Sequence, residues 1–508
     1  MAVMSGAVTN RTRRSIEERS EGHEEAGYVI ASTARWHWAV VTVAAVWGAW
    51  AFEHGPSSAL HRGGWPMLVT LVWVASHPRM SRKHRRSTAT MVVLVIGLVG
   101  WRSTAEWTDV RSVVHGDVAT VATLASDPEP FGRGTRVVLT IEGRRFEAVV
   151  FGPIAAGVNG SKRGESVRVV GRTREVREER RRRAQVRHIV GLIEVESFSD
   201  PAGGTRRRSR ALERTANDVR NVMSRGASAM SEDDSALFTG LVYGDDSDQS
   251  EEMEERFRAS GLAHLSAVSG QNVGYLLTVL TPMIRRRGRW TRLSVTLGAL
   301  VWFAVLTRVE PSVVRAAGMA AVSAVALAIG WRPRAIEVLS LCVIVFVLID
   351  PFLAWSVGWW LSAAGSFGLV VYTPTIHRIV RGSKSQRRRL ADWIAPTIAA
   401  QLGVLPVLVA VFGWPSAVAL PANLLAAPVA GLVMLVGIPT ALAAGSFPAL
   451  SEALMFLPSL GVRWVDAVAR VAATLDPPAV LNIVVTSLVP LTVVLTGRRV
   501  RHRCANLG

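Results

Sequence analysis

The sequence predicts a polytopic α-helical membrane protein into which a small extracytoplasmic β-barrel domain is inserted. Hydrophobic residues make up 49 % of the 508 residues, and long apolar runs recur through the second half of the sequence. About 20 such residues span a bilayer as a helix. Residues 106–200 instead alternate apolar and polar side chains in short runs broken by Gly and Pro, which is typical of strands and turns. Basic loops separate the apolar runs, as on the cytoplasmic side of a membrane.

The first hundred residues combine a charged start with short apolar segments. Residues 1–35 interleave Arg with Glu and are expected to form a disordered cytoplasmic tail. The region 36–104 is expected to hold the N-terminal membrane helices, with apolar runs at 36–52, 65–76 and 89–101. The loop 77–87 is strongly basic and is expected in the cytoplasm, so the segment after 101 should lie outside.

Residues 105–203 are expected to form a compact extracytoplasmic barrel of about five strands. This region is rich in arginine and poor in aromatic side chains. The arginines are either a solvated surface or a surface that attracts phosphates weakly and without sequence preference. The arginines assigned to such a DNA-attracting surface are Arg136, Arg144, Arg145, Arg168 and Arg172.

The whole chain is strongly basic, with a net charge of +19. Two interpretations remain open, since basic loops orient membrane helices and the same charge would attract a polyanionic substrate. The two cysteines, Cys342 and Cys504, predict neither a disulfide framework nor a thiolate metal site.

Residues 204–256 are expected to form a helical linker that ends in an acidic stretch. Asp245, Asp246 and Asp248 lack the spacing of a calcium loop. Asp248 or Ser250 is instead expected to cap an acidic helix at 250–259, whose glutamates suit a helix N-terminus.

The region 257–497 is expected to form the main membrane domain, with roughly nine to eleven crossings in the whole chain. It opens on a stretch of small and polar residues that a lipid-facing helix would not need. Either the stretch packs closely against other helices, or it lines a buried or watery path. The candidate path residues are His264, Ser266, Ser269, Gly270, Gln271 and Asn272, which we expect in a membrane helix at about 262–284.

Three more polar side chains lie within apolar runs: Arg315, Gln401 and Asn423. Asn423 is either a buried amide or faces a path. Arg315 either snorkels to the membrane interface or faces an aqueous cavity, and Arg308 and Glu310 are its candidate partners. Prolines at 421, 428 and 439 predict short or re-entrant helical pieces. Residues 451–473 are expected to form an amphipathic interfacial helix, and 498–508 a basic C-terminal tail.

The sequence carries no recognisable catalytic signature. There is no phosphate-binding loop and no His/Asp cluster of the kind that holds two metal ions. Ser266 and Ser269 near His264 have no acid placed to orient the histidine. We therefore expect a protein without catalytic residues, metal or cofactor, and hence not an enzyme.

Several motifs resemble the ComEC/Rec2 family of competence proteins. The segment GLVYGDDSDQSEEMEERFRASGLAHLSAVSGQNVG (240–274) is similar to the family pattern GDRS…FRxxGLxHLLAISGLHV. LTRVEPSVVRA, AAQLGVLPVLVAVFG and PANLLAAPVAG are also close to family segments. The piece GESVRVVGRTREV resembles the second half of the family's OB-like domain. The chain departs from the pattern at Gln271, Asn272 and Trp360, where the family has Leu, His and Gln.

The resemblance extends from about residue 36 to 497 and implies a function. It implies a multi-pass channel in the cytoplasmic membrane that imports single-stranded DNA during natural transformation. Our hypothesis is that the nine polar or small residues named above line the route. Implied partners are membrane lipids, a membrane-anchored DNA receptor and a cytoplasmic helicase-like ATPase; a separate nuclease and a homo-oligomer are left open. The chain resembles a short form without the family's metallo-β-lactamase-like domain.

Two other functions are compatible with the same residues. A secondary transporter of a small solute or lipid also uses broken helices with polar residues at mid-depth, although we find no inverted repeat. A membrane scaffold whose β-domain binds a partner would need no path at all.

Overall fold

The computed structural model describes residues 38–53, 82–111, 116–199, 211–266, 270–381, 388–475, 477–478, 480–488 and 492. The chain forms two compact units. One comprises Met1–Asp109 and Arg334–Ala354, and the other comprises Val110–Pro333 and Trp355–Gly508.

Helices dominate the chain, and six strands interrupt them between residues 116 and 199. The helices are α1 (Trp38–Ala51), α2 (Arg82–Arg111), α3 (Gly152–Asn159), α4 (Glu178–Val186), α5 (Ala211–Ala227), α6 (Glu232–Tyr243), α7 (Glu251–Ala259), α8 (Gln271–Ile284), α9 (Arg289–Leu306), α10 (Pro311–Ala328), α11 (Ala335–Ile349), α12 (Val357–Arg381), α13 (Arg388–Phe412), α14 (Ala419–Ser446) and α15 (Ser451–Thr474), and 480–488 is also helical. The strands are β1 (Gly116–Leu124), β2 (Glu129–Phe131), β3 (Gly134–Ile141), β4 (Arg144–Phe151), β5 (Ser166–Arg174) and β6 (Ile189–Ser199).

The first unit contains α1, most of α2, and α11 with the short 3-10 turn that follows it. Ser103 on α2 donates a hydrogen bond to the carbonyl of Ala49 on α1 at 3.0 Å. Trp107 and Phe352 pack edge to face with ring centroids 4.7 Å apart. Both contacts are buried, so apolar packing and satisfied hydroxyls hold this unit together.

The strands close into a small barrel in the order β1-β5-β6-β4-β3, and β3 pairs back onto β1. All pairings are antiparallel except β4 with β6, which is parallel. The helix α3 lies between β4 and β5. This closed five-stranded order is that of an OB-like domain, so the predicted inserted barrel is confirmed. The extra strand β2 pairs only with β3.

The alternation in the sequence explains the barrel, because inward residues are buried and outward ones are not. On β4, Phe146, Ala148 and Val150 are buried, whereas Arg145, which precedes Phe146, is exposed. Period-two patterning places every second side chain on the same face of a strand.

The second unit contains one large apolar core formed by α5 to α10, α14 and α15. Its fully buried members include Phe238, Leu241, Phe257, Phe303 and Val462. The segment predicted as a helical linker is helical and contributes Met223 and Ala227 to this core. A Cβ atom on Gly445 of α14 would overlap the carbonyl of Val222 on α5, so α5 and α14 pack backbone to backbone.

Two sequence predictions about helix continuity are wrong. The predicted helix at 262–284 begins only at Gln271, because Gly261 adopts φ 73° and ends α7. The amide of Leu262 then bonds to the Phe257 carbonyl at 2.8 Å, and Gly261 to that of Arg258 at 3.1 Å. These two bonds form a Schellman motif, which satisfies the last carbonyls of a helix.

The prolines of residues 421–439 do not divide that segment into pieces. α14 runs unbroken for 28 residues with Pro428 and Pro439 inside it. Pro421 lies in the first turn, where a helix leaves its amides unpaired in any case. For the two internal prolines, neighbouring helices that pack along α14 can compensate the lost hydrogen bonds.

Four helices in the described part of the chain are long and apolar enough to cross a membrane: Arg86–Val110, Pro311–Ala328, Ala391–Phe412 and Ala419–Ser446. Shorter apolar helices occupy Trp38–Ala51 and Ala335–Ile349. The fold class is therefore a helical membrane protein with an inserted barrel, as predicted. The predicted segment 65–76 and the two tails at 1–35 and 498–508 lie outside the described residues.

Candidate functional site

Gly270 and Arg315 lie against each other where α8 begins. A Cβ atom on Gly270 would come within 3.2 Å of Arg315 Nη2 and of the Ser312 carbonyl, and within 3.0 Å of Ala316 Cβ. A side chain on Gly270 would therefore force these neighbours to move by a few tenths of an ångström. Two of the predicted path residues, 45 positions apart in the sequence, thus meet in the structure.

Arg315 is buried at 7 % exposure on α10, a candidate membrane span. Its Nε donates to Ser362 Oγ at 2.6 Å, and its Nη1 donates to Ser366 Oγ. Both serines lie on one face of α12, four residues apart. Their hydroxyls accept hydrogen bonds from the guanidinium and orient it, and a charged side chain within a membrane span is costly.

The serines are positioned by a close crossing of α12 and α13. A Cβ atom on Gly368 would overlap the carbonyl of Ala399 and come within 2.8 Å of Gly403 Cα. Small residues let two membrane helices approach closely. Gln401, a predicted path residue, is half-buried on α13 near this crossing.

The two predicted asparagines are buried and bonded to backbone. Asn272 Nδ2 lies 3.4 Å from the carbonyl of Leu241. Asn423 Nδ2 donates to Ala419 at 2.8 Å and lies 3.4 Å from the Gly261 carbonyl. Asn423 thereby links α14 to the turn that ends α7, which satisfies a polar group that burial would otherwise penalise.

The other described path residues of the stretch 264–272 are more exposed to solvent than the asparagines. His264 and Gln271 are exposed, and Gln271 Nε2 donates to Tyr275 Oη at 2.6 Å. Ser266 is half-buried and its hydroxyl donates to the Ala263 carbonyl at 2.9 Å. Ser269 lies outside the described residues.

The five predicted barrel arginines fall into two groups. Arg136, Arg144 and Arg145 lie on β3 and β4, whereas Arg168 and Arg172 lie on β5, which pairs with neither of those strands. Arg136 pairs with Glu129 at 2.5 Å, and Arg172 pairs with Asp117 at 3.2 Å.

The segment before α7 provides both the cap of that helix and one partner of an ion pair. Ser250 Oγ accepts a hydrogen bond from the Met253 amide at 3.2 Å, which confirms the predicted cap. Asp245 accepts from Arg220 Nη2 at 2.8 Å. Among the described residues, no three His, Cys, Asp or Glu side chains are arranged to hold a metal ion.

The residues that sequence analysis missed lie where the barrel meets the helices. Arg220 on α5 is 3 % exposed and, besides Asp245, bonds to the carbonyls of Tyr243 and Leu306 at 3.2 and 3.1 Å. Burial alone would raise the pKa of Asp245, but Arg220 and the Ser247 hydroxyl outweigh it, so that pKa is below its usual value.

Arg308 bonds to the barrel, although it was predicted as a partner for Arg315. Its Nε donates to Asp127 Oδ2 and its Nη1 to Asn217 Oδ1, both at 2.7 Å. Lys162 and Arg163, from the loop before β5, join the same group, and burial lowers the pKa of both. We call the set the junction cluster: Asp127, Lys162, Arg163, Asn217, Arg220, Asp245 and Arg308.

No sequence signal marks the junction cluster. Its members are spread over 182 positions of the sequence. Charged residues such as these are mostly exposed to solvent in proteins, so the sequence gives no reason to expect them together. Asp245, an acid of the family motif, and Arg308, in the segment LTRVEPSVVRA, are the members that lie in segments resembling the family. The structure shows that this motif acid is paired with a helix outside the motif.

Comparison with known proteins agrees with this architecture. The family model described as "Competence protein" matches residues 241–498. ComE operon protein 3 of Bacillus subtilis (strain 168) is 29 % identical over 212 residues, which are 41 % of this chain and 26 % of that protein. The uncharacterized protein YcaI of Escherichia coli (strain K12) is 27 % identical over 222 residues, 41 % of this chain and 28 % of the relative. No solved structure matches significantly.

The fold and the buried polar residues define a helical membrane protein with an OB-like barrel. The family match covers more than half of the chain, so the chain belongs to the Competence protein family, as its ComEC/Rec2-type motifs predicted. The chain spans only about a quarter of the length of the curated relatives that it matches.

Proposed function

We propose that this protein is a multi-pass channel of the cytoplasmic membrane that imports single-stranded DNA during natural transformation. Membership of the Competence family supports a role in DNA uptake. The barrel has the topology of a fold that often binds single strands. In this proposal its arginines gather the strand outside the membrane, and the helices of the second unit provide the route.

The observation that carries the proposal is the environment of Arg315. Its guanidinium is buried on a candidate membrane span, and two serine hydroxyls accept its hydrogen bonds. Charged residues within membrane spans mark ion and substrate pathways. A phosphate backbone needs such a polar, cationic wall to cross about 30 Å of hydrocarbon.

The proposal requires other proteins. The strand must be delivered by a membrane-anchored receptor and pulled by a cytoplasmic helicase-like ATPase, because no nucleotide-binding loop occurs in this sequence. A separate nuclease would supply the single strand. Lipids surround the helices, and a homo-oligomer is compatible with the proposal.

The test is entry of labelled DNA into transformable cells that carry Arg315→Ala, Arg315→Lys or the control Arg292→Ala. Arg292 is exposed at the start of α9. We expect Arg315→Ala to reduce entry by about tenfold or more, since a lost charged contact of about 1.5–3 kcal/mol corresponds to a factor of 10 to 150. Arg315→Lys should retain part of the activity, because it keeps the charge but loses the forked geometry.

Uptake equal to wild type in Arg315→Ala, at equal protein in the membrane, would contradict the channel route. Loss of small-solute flux with normal DNA entry in the same strain would favour a secondary transporter. Silent changes at Arg315 combined with loss of function on barrel deletion would favour a scaffold.

A further inference from the structure

We propose that Asp127 of the barrel is a positioning residue for Arg315. In this proposal, Asp127 holds the turn between α9 and α10 in a strained backbone conformation, and that turn sets where α10 presents Arg315 to Gly270. The part of the proposal that concerns DNA entry rests on the proposed function. The part that concerns the position of α10 does not.

The turn between α9 and α10 has an unfavourable backbone. Arg308 has φ 59° and Val309 has φ 62°, so two successive residues other than glycine are left-handed. For a β-branched residue such as Val309 this conformation is a genuine outlier. Val309 is 43 % exposed, so burial of its own side chain does not explain the conformation. Strained residues persist only where their surroundings hold them.

Residues of two barrel loops hold this turn. Asp127 Oδ2 accepts from Arg308 Nε at 2.7 Å, and Arg163 Nη1 donates to the Arg308 carbonyl at 2.6 Å. Asp127 Oδ1 in turn accepts from the amide of Arg163 at 2.7 Å. One carboxylate therefore organises both contacts, and it lies in the loop between β1 and β2.

The turn leads directly into α10. Pro311 is the first residue of that helix, and its ring fixes φ near the helical value. Arg315 follows one turn later. The same first turn places the Ser312 carbonyl and Arg315 Nη2 within 3.2 Å of the point where a Cβ atom on Gly270 would lie. A change in the backbone at 308–309 would therefore move the two groups that Gly270 contacts.

A merely structural role for Asp127 predicts something different. If Asp127 only stabilises the fold, replacing it should weaken the whole protein, and a change at Val309 should not compensate. If Asp127 holds a strained turn, a glycine at 309 should remove the need for it. Glycine adopts left-handed backbone without steric cost.

The experiment measures the distance between α8 and α10 by disulfide trapping in full-length protein in native membranes. Gly270→Cys and Ala316→Cys are introduced together with Cys342→Ala and Cys504→Ser. Their Cβ atoms would start 3.0 Å apart, close to the roughly 3.8 Å of a disulfide. The rate of oxidation is compared with and without Asp127→Asn, Val309→Gly and both changes. Asp127→Asn keeps the shape but leaves one oxygen to accept two hydrogen bonds.

The matched control is Asp117→Asn, because Asp117 forms an exposed barrel pair with Arg172. We expect Asp127→Asn to slow trapping by roughly fivefold or more, within the range of measured couplings between sites. Val309→Gly alone should change little, and the double variant should return to within about twofold of wild type. Labelled-DNA entry, in a strain with wild-type Gly270 and Ala316, should follow the same order.

Trapping in Asp127→Asn at the wild-type rate would overturn the proposal. So would slowed trapping that Val309→Gly fails to restore, since Asp127 would then act on stability alone. If trapping responds as expected but DNA entry does not change, the positioning role stands and the DNA route through Arg315 is wrong.

Discussion

Arg220 and Asp245 form an ion pair at 2.8 Å in which the arginine is almost completely buried. The pair joins a helix outside the family match to the acidic residue of the family motif. Arg220 also lies 3.8 Å from Asp127 of the barrel. One guanidinium thus contacts the motif, the barrel and the carbonyl that ends α9.

Arg220→Met should destabilise the protein strongly. It leaves Asp245 without its closest cation, and breaking a buried pair from one side costs about 3–5 kcal/mol; because Asp245 is about one-third exposed, we expect about 2–4 kcal/mol. Thermal unfolding of purified protein in detergent measures the effect. Arg214→Met on the exposed face of the same helix is the control and should change little. Equal unfolding temperatures for the two variants would contradict this role.

Stability should depend on Asp245 in acid. Its pKa is lower in the folded protein than in the unfolded chain, so its contribution is present above the ordinary carboxyl pKa and is lost as the pH falls below about 4. Wild type and Asp245→Asn should therefore differ most at neutral pH and converge on acidification. Unfolding temperatures at several pH values test this. A gap that stays constant from pH 7 to pH 3 would exclude the linkage.

Gly270→Ala should impair DNA entry, whereas Gly274→Ala should not. A Cβ on Gly270 would press on Ala316 and Arg315, while one on Gly274 meets nothing within 4 Å. Overpacking of this kind costs about 1–3 kcal/mol. Entry of labelled DNA at equal protein level is the measurement, and Gly270→Leu should be more severe than Gly270→Ala. Equal entry in the Gly270 and Gly274 variants would remove this contact from the function.

Gly368→Ala should separate α12 from α13 and destabilise the second unit. The added methyl would overlap the Ala399 carbonyl, so a cost of about 1–3 kcal/mol or more follows. Gly358 is the control on the same helix, because a methyl there meets nothing within 4 Å. Gly358→Ala should be neutral or slightly stabilising, as alanine favours helices. Thermal unfolding compares the two, and a smaller loss for Gly368→Ala than for Gly358→Ala would refute the close crossing.

Charge reversal on the barrel should reveal which group of arginines meets DNA. Each phosphate contact with a single strand contributes about 0.7 to the slope of log affinity against log salt. Arg168→Glu/Arg172→Glu and Arg144→Glu/Arg145→Glu are compared by fluorescence anisotropy of a single-stranded oligonucleotide with full-length protein. The group that contacts the strand should lower the slope by about 1.4 or more. Unchanged slopes in both would mean that these arginines are a solvated surface.

Features that depend on neighbouring residues in sequence were predictable. The alternation of residues 106–200 predicted the strands of the barrel, and the acidic start of α7 predicted a cap such as Ser250. The small and polar residues around Gly270 predicted close packing or a path, and the motif indicated the family. These signals are short-range, because caps, pleats and motifs involve only a few consecutive positions.

Other features could not be predicted locally. The end of α7 at Gly261 looked like the start of a membrane helix, and the prolines of α14 looked like breaks. In both cases the outcome depended on bonds and packing beyond the local pattern. Ser362 and Ser366 accept hydrogen bonds from Arg315, but nothing in the sequence around them indicated this partner.

The sequence by itself determined a helical membrane protein, an inserted five-stranded barrel and the competence motif, because hydrophobic period and composition dictate these features. Only the tertiary structure decided that Arg308 pairs with Asp127, 181 positions away, and that Gly270 packs against Arg315. A buried charge takes the partner that folding brings within hydrogen-bond distance, and that partner is set by how the barrel and helices pack, not by spacing along the chain.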